Sequence, residues 1–263
     1  MNQSWLCRLA DRLILCPTTH AIDVQDRRRH MVRVGDDAVE VWVHDVGPAD
    51  QDVDVYVLKF PGTGGRAERS TDQPGSFWPQ LRTQIWAVNP PGYGRSSGCA
   101  SLRKLGATAR TVFDELRSGA AGRPLIVMAN SLGGASALHL AANRSVDGLV
   151  LRNPPPLREV ILGRYALRSL YLGAWLIAGQ VPAELDSLSN ARRSTAPAIF
   201  VTSDRDTIVP PKYQRQLLEA YAGPKQQVVL ADADHISAMN ETELAQYRRA
   251  LEGLLGALRA AKS

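Results

Sequence analysis

The chain has 263 residues, 44% hydrophobic and 22% charged, which excludes a disordered or fibrous protein and allows one large buried core. Formal net charge is +5, but the basic residues are scattered with few aromatics between them, which argues against a nucleic-acid-binding stripe. Three cysteines, Cys7, Cys16 and Cys99, cannot all pair and lack metal-ligand spacing, so a disulfide framework is not expected and a reducing, cytoplasmic setting fits. In chain order, Trp5, Leu6, Leu9 and Leu13 recur at helical spacing and predict an amphipathic opening helix that packs on the body. Arg8, Asp11 and Arg12 interrupt the apolar run that a secretory signal would need. Residues 31–46 alternate apolar and polar around Gly35, Asp36 and Asp37, a hairpin pattern.

Short β-branched runs follow at residues 53–60, 83–89, 123–130, 148–153, 196–203 and 226–232. Helical patterns fall between them at 101–118, 132–143, 211–222 and 241–260. Alternation of buried strands with helices predicts an α/β fold: a mostly parallel sheet of about eight strands, helices on both faces and an antiparallel hairpin at its start. Residues 154–195 exceed a plain crossover, so the expected organisation is a core of 1–153 and 196–263 carrying a lid insertion of 154–195. The insertion's uncharged run "SLYLGAWLIAGQVPA" falls short of the roughly 18 residues that suggest a span. No transmembrane segment is expected, which leaves peripheral membrane contact through the opening helix as a minority use.

In an open parallel sheet, functional groups gather beyond the carboxyl ends of the strands. Ser131 follows an apolar strand in "ANSLGG" and opens a helix, where it reads either as a nucleophile on a sharp turn or as a helix-capping serine. A serine hydroxyl needs a base to take its proton and a third group to orient that base. Asp206 in "SDRDTIVPP" and His235 in "DADHISAMN" follow later strands and supply both, with Asp204 as the rival acid. His20 and His30 precede the sheet proper, His44 lies in the hairpin, and His139 is two turns down the helix from Ser131. Acyl transfer also needs two backbone donors for an oxyanion. The amide of Leu132 is one candidate, and that of Thr63 in "PGTGG" is the other, with Gly64 as its neighbour candidate; the same glycines also suit a merely flexible turn.

Taken together, "FPGTGG", "NPPGYGRSSG", "ANSLGG", "SDRDTIVP" and "DADHISAMN" resemble, in order, the oxyanion loop, the D-x-x-G-x-G-x-S loop, the nucleophile elbow, the acid loop and the histidine loop of the α/β-hydrolase superfamily. The sequence departs from the usual pattern at Pro61, where histidine is common, at Asn89, where aspartate is common, and at Ala129, where the elbow usually has glycine. The short insertion resembles the branch that includes monoacylglycerol lipases, depalmitoylases and carboxylesterases. That resemblance implies a serine hydrolase acting on a small ester or acylated substrate with Ser131, Asp206 and His235 and without a metal or organic cofactor. Tyr165, Tyr171 and Trp175 are candidates to line an acyl pocket, although a stripe of this kind equally packs on a core. An amide or peptide hydrolase on the same residues, and a non-catalytic binding protein of the same fold, are the alternatives.

Overall fold

The computed structural model describes residues 5–165 and 172–260. The opening helix α1 (Trp5–Leu15) precedes a hairpin of β1 (Arg28–Val34) and β2 (Asp37–Val46), whose turn places Gly35 at φ 59°. Then come β3 (Val55–Phe60), β4 (Thr83–Asn89), α2 (Leu102–Gly119), β5 (Leu125–Asn130), α3 (Gly133–Asn143) and β6 (Gly148–Arg152). Between β6 and the next strand lie α4 (Leu157–Tyr165), α5 (Leu172–Ala178), a 3-10 turn at Ala183–Leu185 and α6 (Ser187–Arg193). The chain closes with β7 (Ala198–Ser203), α7 (Pro211–Ala220), β8 (Lys225–Leu230) and α8 (Glu241–Ala260).

The eight strands form one sheet in the order β1-β2-β4-β3-β5-β6-β7-β8. β1 and β2 pair antiparallel, as do β2 and β4, and every later pairing is parallel. Side chains alternate between the two faces because the strand period is two. In β5, Leu125, Val127 and Ala129 join the core shared with α2, α3 and α7, whereas Ile126 joins the core shared with α8. β7 repeats this, with Ala198 and Phe200 on the first side and Ile199 and Val201 on the second. Each fully buried aliphatic or Phe side chain contributes about 1.5–3 kcal/mol, so apolar burial holds both faces of the sheet against their helices.

A third cluster lies beyond the carboxyl ends of the strands, where Leu15 of α1 meets Leu132, Leu157 and Ile161 of α4, and Ala174 of α5. Here the helices between β6 and β7 part company. α4 and α5 pack on each other, and α5 packs on α1, whereas α6 packs on α3 and α7 and contributes Ala191 to the main core. No helix among the described residues is long and apolar enough to cross a membrane.

Candidate active site

β5 turns into α3 through Ser131, whose φ of 47° lies in the left-handed region. A non-glycine residue held there costs roughly 1–2 kcal/mol and persists only where the surroundings over-determine it. Two hydrogen bonds and two close approaches at glycines do so. The Ser131 amide donates to the Arg152 carbonyl at 2.8 Å, and its own carbonyl accepts from the Gly134 amide at 2.8 Å. A Cβ on Gly133 would stand 2.7 Å from the Pro61 carbonyl oxygen and closer still to that of Phe60, so only glycine lets α3 start against the end of β3. A Cβ on Gly62 would approach the Cβ of Ser131 to 3.1 Å, which puts the glycine-rich loop directly beside the serine.

That loop is a turn closed by a bond from the Gly65 amide to the Gly62 carbonyl at 2.9 Å. The Gly64 amide is spent on the Leu15 carbonyl at 2.9 Å, which removes it as a donor to a ligand. Among the described residues the amides of Thr63 and Leu132 have no acceptor, and both residues line the cleft that holds Ser131.

His235, on the loop after β8, points Nδ1 at Asp206 Oδ2 at 2.6 Å. The Asp206 side chain is wholly buried, and its other contacts are the amides of Ile208 and Val209 on Oδ1, each at 2.8 Å, and Gln214 Nε2 on Oδ2 at 3.1 Å. Four donors hold one carboxylate in place. Asp204 is exposed, and the hydrogen bond and ion pair of His235 Nδ1 go to Asp206 instead. The other histidines lie elsewhere: His30 bonds Glu115 and His139 bonds Arg110. Burial, followed by the nearby charge of Arg27, pushes His44 down to about 4.

Sequence reasoning missed the residues that hold these loops together. Asn153, buried and at φ 47°, donates from Nδ2 to Ser203 Oγ and to the His235 carbonyl, each at 3.1 Å, and accepts from the Ser203 amide at 2.9 Å. Arg152 beside it donates to the Ser237 carbonyl. One dipeptide thus ties the serine's backbone to the histidine loop and to the end of β7. Its available signal was an asparagine between a strand end and prolines, since asparagine tolerates positive φ. Gln214 had no signal at all.

Ser131 and His235 open onto a cleft of about 970 Å³. Its walls are apolar: Leu9, Leu13 and Ile14 of α1, Leu157, Val160 and Ile161 of α4, Ile177 of α5, and Ile208 and Ile236 from the acid and histidine loops. Of the expected pocket aromatics, Trp175 is 64% exposed and is not among the cleft's lining residues, because α5 turns Ala174 and Ile177 inward instead. Tyr165 ends α4, its side chain outside the described set, and Tyr171 lies outside the described residues. α1, expected to pack on the body with membrane contact as a minority use, also forms one wall. Among the described residues no group of His, Cys, Asp and Glu is arranged to hold a metal ion.

A mostly parallel eight-stranded sheet, a serine on a strained turn after β5, and a buried acid holding a histidine after β7 and β8 together define the α/β-hydrolase fold. Residues 35–250 match the Alpha/beta hydrolase family, and the chain belongs to it. It is 30% identical over 148 residues to the uncharacterized membrane protein YNL320W of Saccharomyces cerevisiae, covering 54% of this chain and 51% of that one. It is 31% identical over 169 residues to the uncharacterized protein Rv2307c of Mycobacterium tuberculosis, covering 62% of this chain and 55% of that one. The chain therefore spans about half the length of these relatives. Among solved structures, a Pyrococcus furiosus esterase superposes with a TM-score of 0.68 at 14% identity, over 93% of this chain and 98% of that chain. Est1E from Butyrivibrio proteoclasticus with bound ferulic acid gives 0.68 at 14% identity, over 86% and 98%. An enol-lactonase from Burkholderia xenovorans gives 0.58 at 17% identity, over 86% and 100%.

Proposed function

We propose that this chain is a serine hydrolase that cleaves a carboxylic ester or thioester through an acyl-enzyme. The observation that carries the reading is the His235–Asp206 pair at 2.6 Å opening onto the same cleft as a serine held at positive φ. With Nδ1 donating to Asp206, Nε2 keeps its lone pair and acts as base. Ser131 Oγ attacks the acyl carbon as its proton passes to His235 Nε2, and the oxyanion is held by the amides of Leu132 and Thr63. The tetrahedral adduct collapses, breaking the bond to the leaving oxygen or sulfur, which takes the proton from Nε2. Water then repeats the sequence on the acyl-enzyme, giving its proton to Nε2 and releasing the acid and Ser131.

The cleft favours esters over peptides. A peptidase that holds a substrate amine needs a carboxylate in its pocket, and among the described residues none lines this one. Esterases among the structural neighbours support the same reading. The apolar walls of α4 and α5 suit an acyl chain, so turnover of p-nitrophenyl esters should rise from acetyl toward medium chains by roughly 0.8 kcal/mol per buried methylene until the cleft is full. A flat profile would return these walls to a packing role. The decisive experiment is labelling with a fluorophosphonate, which phosphonylates a serine beside a base, fluoride leaving, and leaves a capping serine untouched. Labelling of the native chain and none of Ser131→Ala is expected, and an unlabelled native chain would favour a non-catalytic binding protein.

A further inference from the structure

The outward face of α1 carries apolar side chains where a helix on a soluble domain ordinarily presents charge. Trp5, Leu9 and Leu13 are 68%, 40% and 60% exposed. Arg8 and Arg12, both exposed, flank that stripe, whereas the helix's acid, Asp11, turns inward and accepts from the Leu102 amide at 2.8 Å. α5, packed on α1, adds Leu172 and Trp175 at 65% and 64% exposure, and the acid and histidine loops add Ile208 and Ile236 at 49% and 84%. Among the described residues, these are seven of the nine exposed large apolar side chains. Leu9, Leu13, Ile208 and Ile236 also line the cleft, so the patch surrounds its mouth. A concentration of this kind marks an interaction surface rather than scattered surface hydrophobics.

We propose that this rim docks on the surface of an anionic lipid bilayer, with the exposed face of α1 in the interface and the cleft opening toward the acyl chains. Charge selects this occupant. The exposed residues of α1 include Arg8 and Arg12 and no acid, and the carboxylates of the histidine loop are engaged within the protein: Asp232 pairs with Arg205, and Asp234 accepts from the Ile236 amide at 2.9 Å and from the amide and hydroxyl of Ser237 at 2.8 Å. An amphipathic helix with basic flanks and Trp and Leu on its apolar face is suited to lie in the headgroup region. The cleft argues the same way. A second protein seated on the patch would cover its mouth, whereas a lipid phase can deliver an apolar chain into it.

The test is co-sedimentation of the full chain with vesicles of phosphatidylcholine alone and of phosphatidylcholine mixed with phosphatidylglycerol, read alongside tryptophan emission and turnover of a short water-soluble ester. Binding to the mixed vesicles, a blue shift from the exposed tryptophans Trp5 and Trp175, and weakening by salt are expected. The double variant Trp5→Ser/Leu172→Ser should lose at least about tenfold in vesicle affinity while its turnover of the soluble ester is unchanged. Arg12→Gln should lower affinity for the mixed vesicles about fivefold and leave the weak binding to phosphatidylcholine as it was. Absence of binding to either vesicle, or undiminished binding by the double variant, would overturn the proposal. So would a concentration-dependent dimer that the double variant abolishes while vesicle binding is absent, since the occupant would then be a second copy of the chain. Failure of ester turnover with vesicle binding intact would count against the hydrolase reading alone.

Discussion

Two buried polar clusters, each built around carboxylates, sit at the carboxyl end of the same sheet, one beyond β7 and β8 and one beyond β3 and β4, and one difference between them bears on chemistry. In the second cluster Asn89 Nδ2 donates to Glu40 Oε2 and to Glu68 Oε2 at 2.8 Å each, while its Oδ1 accepts from the Ala67 amide at 2.8 Å. Arg66 donates from Nε to Glu68 at 3.1 Å and from Nη1 to the carbonyls of Thr18 and His20 at 3.1 and 2.9 Å. Burial alone would push Glu68 up, but the hydrogen bonds from Arg66 and Asn89 outweigh it and hold the carboxyl below its ordinary value. The donors of Asn89 and the fork of Arg66 are committed to the chain itself. In the first cluster Asp206, Asn153 and the Nε2 of Gln214 are committed in the same way, but His235 uses one ring nitrogen on Asp206 and its side chain is 16% exposed beside the cleft. Burial and dense hydrogen bonding are thus common to both. What separates a site from a brace is one group left with an unused atom facing a cavity.

Breaking the first cluster should cost activity and breaking the second should cost stability. The largest effect is expected from Ser131→Ala and Asp206→Asn, with kcat for a p-nitrophenyl ester falling by about 10⁴. Ser131→Ala should leave the denaturant midpoint nearly unchanged, because only a hydroxyl is lost. An equal loss in Asp204→Asn, with Asp206→Asn active, would reassign the acid.

Asn89→Asp sharpens the comparison from the other side. It restores the residue usual in the family, yet it places a third carboxylate against Glu40 and Glu68 with Arg66 as the charged partner. At neutral pH this should cost about 3–5 kcal/mol, the scale of an uncompensated buried charge, while kcat of the folded fraction stays within a few-fold. The new carboxyl would have a folded pKa raised above its unfolded value. Its stability relative to wild type is therefore highest below the unfolded pKa and is lost as pH rises through the folded one. Urea unfolding at a series of pH values should show the deficit widening from acid to neutral, and a constant deficit would mean the network tolerates the charge.

Ala129 gives the smallest expected effects. It is buried at 4% exposure on the α3 side of β5, paired in register with Phe60 and Leu151. Ala129→Val adds two methyls to a filled space and should cost about 1–3 kcal/mol, with reduced turnover as Ser131 is displaced. Ala129→Gly should stay within about 1 kcal/mol and keep its activity. Thermal melts and initial rates on both variants check this, and equal behaviour of glycine, alanine and valine would show that the elbow is not tightly packed.

The strands, their order of appearance and the loops that carry Ser131, Asp206 and His235 were legible in the sequence because each depends on local signals. Two-residue alternation marked the opening hairpin and short β-branched runs marked the later strands, proline at the start of α7 and glycine at the start of α3 marked the turns, and helix α8 begins and ends where its apolar period does. The roles of Asn153 and Gln214 were not legible, since a polar side chain in a loop looks the same whether it faces water or bridges two strand ends. The pocket aromatics misled for a related reason. Helical spacing says that Trp175 shares a face with its neighbours but not which face, and the small Ala174 took the inward position on α5.

By itself, then, the sequence determined the α/β alternation, the parallel sheet with its antiparallel start, and the residue types able to act on an acyl group, because backbone preference and hydrophobic period operate over a few residues. Only the tertiary structure decided that Asp206 rather than Asp204 meets His235, that the Gly64 amide is consumed by Leu15 while the amide of Thr63, a residue lining the cleft, has no acceptor among the described residues, and that α1, besides packing on the body, forms a wall of that cleft. Each of these joins segments far apart in the chain, and such contacts are set by how whole elements pack rather than by the residues on either side of them.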